Sequence, residues 1–196
     1  MRRWLIAVSS LALLGASLPW VLMVLIWWHV QKVEGVPQEG ADVAIALGGD
    51  MGAERRSEAV RLCRRLGIPR LMATGDPELP PLSVPPPLQV EEVSLDFDST
   101  AEEAAYYARR LQQEGIRAAV VVTSAAHCYR TDLLFRRVLG PGRMRLTVRP
   151  TPGSVLVRGL PLFEGVKLLL AVLRLDLPIH GPARGRLKEA VASWVP

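Results

Sequence analysis

The stretch Ala118-Ala-Val-Val-Val-Thr-Ser-Ala-Ala-His-Cys-Tyr-Arg130 decides how the 196-residue chain folds. The apolar run 118–122 is made largely of β-formers and has no polar interruption, as expected of a strand buried on both faces of a parallel sheet. Thr123 and Ser124 end it, and His127 and Arg130 follow three residues apart where an amphipathic helix begins. In an open α/β sheet, ligands bind where a strand's carboxyl end feeds a helix N-terminus. There, unpaired backbone N–H groups and the helix dipole favour an anion. Thr123 and Ser124 can donate to such an anion, His127 can donate or exchange a proton, and Arg130 can clamp it. A phosphate- or carboxylate-bearing ligand is therefore expected.

The same punctuation recurs on either side. Asp42–Leu47 is a second apolar strand, closed by Gly48-Gly49-Asp50. Residues 54–66 place Ala59, Leu62, Cys63 and Leu66 at helical spacing, and Gly67 follows at a C-terminal cap position. Leu71–Thr74 reads as a strand closed by Gly75-Asp76. Six prolines between positions 77 and 90 exclude a helix there and imply an extended loop. Val90–Leu95 reads as a short strand. Asp98-Ser99-Thr100 offers cap residues to a helix over 101–114, with Glu102 and Glu103 in its first turn. A helix over 127–139 and a strand over 144–149 complete the alternation. The fold class is α/β: a Rossmann-like parallel sheet with helices on both faces.

The segment from Trp4 to Gln31 contains no Asp, Glu, Lys or Arg. As a helix it would be about 42 Å long, more than a hydrocarbon core of about 30 Å requires. Arg2 and Arg3 precede it and Trp27 and Trp28 lie near its end, which orients the N-terminus to the cytoplasm and the globular part outside. A cleaved signal peptide is the alternative. The length of the apolar region and the lack of a clear small-x-small cleavage pattern favour one retained transmembrane helix. The expected organisation is a membrane anchor over 1–31, a linker over 32–41, the α/β domain over 42–175, and a turn with an amphipathic helix over 176–196. An apolar helix is expected within 160–175.

The formal net charge of +5 resides mostly in the N-terminal region; from residue 33 onward 21 basic residues face 19 acidic ones. No basic stripe with interleaved aromatics is present, so no nucleic-acid partner is expected. Gly-x-Gly-x-x-Gly, P-loop and Gly-x-Ser-x-Gly patterns are absent at the strand ends, against classical NAD, ATP and α/β-hydrolase sites. No His/Cys/Asp/Glu cluster has metal-ligand spacing, so no metal site is expected, and no cofactor can be named. Cys63 and Cys128 read as two separate small hydrophobes, although a disulfide is permitted outside the cytoplasm.

Three strand ends would converge in such a sheet. The candidate ligand-binding residues are Gly48, Gly49, Asp50, Arg55, Thr74, Gly75, Thr100, Glu103, Thr123, Ser124 and Arg130, with His127 the candidate catalytic acid/base. Each has an ordinary alternative: Arg55 a solvated helix charge, Asp50 a turn residue, Thr100 a cap, Glu103 a first-turn acid, and His127 a helix-start residue capping a carbonyl.

Taken in order, Leu47-Gly48-Gly49-Asp50, Arg55-x-x-Glu58-Ala59, Thr74-Gly75, Asp98-Ser99-Thr100-x-x-Glu103-Ala104 and Thr123-Ser124-x-x-His127-x-x-Arg130 resemble bacterial domain-of-unknown-function family 218. Its named members include the ElyC, SanA and YdcF proteins. The likeness covers roughly residues 40–175 and is strongest to the ElyC branch, with Arg149-Pro150-Thr151 and Glu164-Gly165 adding to it. The resemblance implies a Rossmann-like domain behind a membrane segment, in cell-envelope biogenesis related to peptidoglycan. It implies pocket positions at Gly48, Gly49, Arg55, Gly75, Thr100, Ser124, His127 and Arg130. The chain departs from the family where the proline-rich loop replaces a Ser-Glu-containing helix. A membrane-anchored envelope factor with an anion pocket is the leading expectation; a non-catalytic scaffold and an S-adenosylmethionine-binding protein are the alternatives.

Overall fold

The computed structural model describes residues 39–49, 52–75, 79–82, 84–95, 97–140, 142 and 144–152, together with Val21, Val24 and Trp28. Those last three are helical and exposed; the rest of the expected anchor, the expected helix within 160–175 and the C-terminal segment lie outside the described residues. No helix among the described residues is long and apolar enough to cross a membrane.

Five strands form one parallel sheet in the order β3-β2-β1-β4-β5: β1 (Val43–Ala46), β2 (Arg70–Thr74), β3 (Gln89–Val93), β4 (Ala118–Thr123) and β5 (Arg145–Pro150). Three helices connect them: α1 (Gly52–Leu66), α2 (Thr100–Gln113) and α3 (Ala125–Leu139). Each strand and helix expected between residues 42 and 149 is present with bounds shifted by a residue or two. The order of strand connection reverses between β1 and β4, the switch point at whose carboxyl ends such sheets open a crevice.

Strand alternation sorts the core into two layers. Val43, Ile45 and Leu47 of the β1 segment, with Met72, Ala119, Val121 and Val148, pack beneath α2 and α3. Ala44, Ala46, Leu71, Ala73, Val120 and Val122 pack beneath α1 with Ala59, Leu62 and Cys63. Helices therefore cover both faces, as expected for a sheet of fully buried strands. The proline-rich loop covers part of the α1 layer, where Leu82 and Leu88 pack on that cluster. Arg56, buried in α1, donates to Pro80 O and pairs with Glu92, which also accepts the Leu82 N–H at 2.6 Å. Cys63 and Cys128 are both buried, lie in opposite layers and are not bonded to each other. Burial pushes the Cys63 thiol up to about 11, so it stays protonated at neutral pH.

Local chemistry sets the helix ends. Ser99 is the N-cap of α2 and its hydroxyl accepts the Glu102 N–H at 3.2 Å. Glu102 reaches back to the Asp98 N–H at 3.1 Å, a reciprocal arrangement related to the capping box. Gly67 and Gly115 follow α1 and α2 with φ of 65° and 68°, left-handed positions that favour glycine. Asp42 Oδ2 accepts the Arg117 and Ala118 N–H groups, tying the start of β1 to that of β4.

At the opposite end of the sheet from the crevice, Arg70, Glu91, Arg110 and Glu114 close a ring of alternating charges. Arg70 meets Glu91 at 2.7 Å and also pairs with Glu114; Arg110 meets Glu91 at 2.5 Å and Glu114 at 2.8 Å. Burial opposes ionisation of Glu91, but Arg70 and Arg110 outweigh it and hold the carboxyl below its ordinary value. Hydrogen bonding to Arg70 does the same for Glu114. Both carboxylates have lower values folded than unfolded, so their contribution is present above the unfolded value and is lost as pH falls through the folded one. Arg110→Met, which breaks two pairs in a solvent-screened network, is expected to lower unfolding free energy by about 1 kcal/mol. Urea titration at low and high salt checks this, with a smaller difference expected at high salt.

Candidate active site

At the carboxyl ends of β1, β2 and β4, hydrogen bonds and close approaches link six of the singled-out residues: Gly48, Gly49, Arg55, Thr74, Glu103 and Ser124. Beyond β1 the chain passes through Gly48, where a Cβ would lie 3.0 Å from Thr74 Cγ2 and 3.3 Å from Thr74 Cβ. Only a residue without a side chain lets the β1 exit lie this close to β2. Gly49 has φ of 98°, and a Cβ there would stand 3.6 Å from Arg55 Nη1. Its left-handed backbone turns the chain beside the guanidinium.

Arg55 is not a solvated helix charge. It is 4% exposed. Nη1 donates to Gly48 O and, at 3.4 Å, to Leu47 O, while Nη2 reaches Ser124 Oγ at 3.4 Å. One cation from α1 thus joins the ends of the two strands that flank the crevice. Helical periodicity puts Arg55 on the inward stripe with Ala59 and Leu62, a signal present in the sequence but outweighed by its charge.

Glu103 is likewise no ordinary first-turn acid. It is 6% exposed, and its Oε1 accepts the Gly48 N–H at 2.8 Å and the Thr74 hydroxyl. The Tyr107 hydroxyl lies 3.0 Å from Thr74 Oγ1 and extends the chain into the core. Tyr107 was not among the expected site residues. Its i, i+4 relation to Glu103 put both on one helix face and was the available signal.

Burial holds the Glu103 carboxyl above its ordinary value, against the opposing effects of Thr74, the Gly48 N–H and Arg55. The folded state therefore keeps this proton to higher pH than the unfolded chain does. Between the two values stability falls as pH rises. Glu103→Gln is expected to flatten that slope, so its stability relative to wild type improves as pH climbs through the window. Unfolding curves of both proteins over a pH series measure the difference, and parallel slopes would contradict it.

On the β4 side, Thr123 and Ser124 are buried. Ser124 is the N-cap of α3, but its hydroxyl makes no bond to the helix and instead faces Arg55. Among the described residues Thr123 Oγ1 has no hydrogen-bond partner. His127 and Arg130, both half-buried, occupy the first two turns of α3, and the His127 N–H donates to Ser124 O at 2.9 Å.

Two other singled-out positions, Gly75 and Thr100, belong to the framework. The Gly75 N–H donates to Val93 O at 2.9 Å, and a Cβ there would lie 3.2 Å from that oxygen. The smallness of Gly75 thus serves β3 pairing, and its amide is not offered to a ligand. Thr100 is half-buried at the first position of α2, while Ser99 does the capping. Asp50 lies outside the described residues.

Chemically, the crevice combines a buried guanidinium, a buried carboxyl and the Ser124 and Thr74 hydroxyls, and His127 and Arg130 stand in the first two turns of the helix that leaves it. This set can hold an anion and exchange a proton. Two shallow surface hollows lie elsewhere, one of about 450 Å³ on the outside of α2 and one of about 400 Å³ between α1 and Thr151-Pro152. Neither is lined by His127, Arg130 or the glycine turns. The described residues contain no group of three His, Cys, Asp or Glu side chains suited to a metal ion. No family model matches the chain, and no curated protein matches it significantly.

Proposed function

We propose that this protein is a membrane-anchored cell-envelope biogenesis factor whose crevice between β1 and β4 binds an anionic, phosphate-bearing ligand. The observation that carries the anion site is the junction made by Arg55. A buried cation spans Gly48 and Ser124 at the switch point of the sheet, beside the α3 N-terminus that presents His127 and Arg130. The envelope assignment rests on the resemblance to family 218, together with the uncharged segment from Trp4 to Gln31. In this reading that segment is the single transmembrane helix in the bacterial plasma membrane, with the N-terminus cytoplasmic and the α/β domain outside.

If the ligand is turned over, His127 is the acid/base group and Arg55 and Arg130 stabilise charge. A binding-only role has one observation in its favour. Glu103 takes the Gly48 N–H, and Arg55 is hydrogen-bonded to main-chain carbonyls, so part of the crevice's polar capacity is used by the protein itself. Deleting the gene from its host and restoring it as His127→Ala separates the two. Catalysis predicts a defect like that of the deletion with the protein present at normal levels; a scaffold predicts full rescue.

A further inference from the structure

The two sides of the crevice offer different chemistry. On the β2 side, Glu103 Oε1 already accepts the Gly48 N–H and the Thr74 hydroxyl. That amide, at the first strand-to-helix turn, is the donor an incoming anion would ordinarily use. The Glu103 carboxyl oxygen occupies it and leaves that donor closed to an incoming anion. Oε2 accepts no hydrogen bond among the described residues, so Glu103 keeps one acceptor oxygen unused. Such an oxygen suits a sugar hydroxyl, which can both donate and accept.

On the β4 side, Thr123 is 1% exposed and its Oγ1 is without a partner among the described residues. A buried orphan hydroxyl costs about 1–3 kcal/mol, a cost that a ligand oxygen can offset. Alternation places Thr123 on the sheet face of Val121, the face shared by Met72 and Thr74. Only β1 separates β2 from β4, so Thr74 and Thr123 stand two strand spacings apart, roughly 10 Å. A ligand touching both sides must bridge a hydroxyl-accepting end and an anion-accepting end.

We infer that the ligand is a phosphorylated sugar or polyol, its phosphate at the β4–α3 turn and a hydroxyl donated to Glu103 Oε2. This rests on the anion site proposed above and adds the class of molecule that fills it. Arg55, central to the crevice, bonds Gly48 O and Ser124 Oγ and lies between the two ends.

The test is calorimetric titration of the full chain in detergent with glucosyl phosphate, methyl phosphate and glucose. Glucosyl phosphate is expected to bind about tenfold or more tightly than methyl phosphate, the ratio one hydroxyl-to-carboxylate bond supports. In Glu103→Gln that ratio should shrink to about threefold or less. Equal affinities for the two phosphates in the wild-type chain overturn the inference and leave the anion site standing. An undiminished preference in a folded Glu103→Gln chain also overturns it. Binding of neither phosphate overturns the anion site as well.

Discussion

Replacing Arg55 with methionine is expected to lower the unfolding free energy by about 3 kcal/mol, although the aliphatic volume is largely kept. The side chain is 4% exposed and donates to Gly48 O, Leu47 O and Ser124 Oγ. Its loss leaves carbonyl acceptors without their donor, at about 1–3 kcal/mol for each group left buried and unsatisfied. It also removes the cation that favours the ionised form of Glu103, so the carboxyl should hold its proton to still higher pH. Because the two charges are coupled, the Glu103→Gln change should cost less in the Arg55→Met background than alone, by about 1 kcal/mol. Denaturant unfolding followed by far-ultraviolet circular dichroism measures all four proteins. A loss below about 0.5 kcal/mol for Arg55→Met would return the residue to the status of a surface charge.

The second large effect is on ligand affinity. Arg130 sits on the second turn of α3, six residues past the N-cap Ser124, from where its long side chain can reach back toward an anion at the helix N-terminus. Arg130→Ala is expected to weaken phosphate-ester binding by about ten- to hundredfold, the equivalent of one charge-assisted hydrogen-bond pair. Lys at this position should restore charge but not bidentate geometry, and so recover only part of the affinity. Because Arg130 is half-buried and lies outside the Arg55–Glu103 contacts, the fold should persist in both variants. Unaltered affinity in Arg130→Ala would remove α3 from the site.

The elements were legible in the sequence because this sheet is parallel and buried. Runs such as Val43–Ala46 and Ala118–Thr123 have no polar interruption, and Gly67, Ser99 and Gly115 punctuate the helices in the expected places. The strand ends that form the crevice followed from the same pattern. The burial of Arg55 and Glu103 did not, since a charged residue in a helix is solvated unless tertiary contacts bring partners to it. Those partners, Gly48, Thr74 and Ser124, lie between 7 and 69 residues away along the chain. Tyr107 escaped notice for the same reason: its hydroxyl matters only once β2 supplies Thr74. The ring of Arg70, Glu91, Arg110 and Glu114 joins β2, β3 and the α2 end; only its i, i+4 pair Arg110–Glu114 has a local signature, and the other contacts are long-range. Gly75 shows that a glycine after a strand can serve sheet packing, since its N–H pairs with Val93 O and a Cβ would crowd that oxygen.

The central claim is that an anion sits where β4 enters α3. A crystal structure of the full chain grown with saturating glucosyl phosphate tests it most directly. Phosphorus density within hydrogen-bond distance of Ser124 and Arg130, with Arg55 still joining Gly48 to Ser124, is the predicted result. Density for the ligand at another surface, with the crevice at the ends of β1 and β4 unchanged and empty, would contradict it.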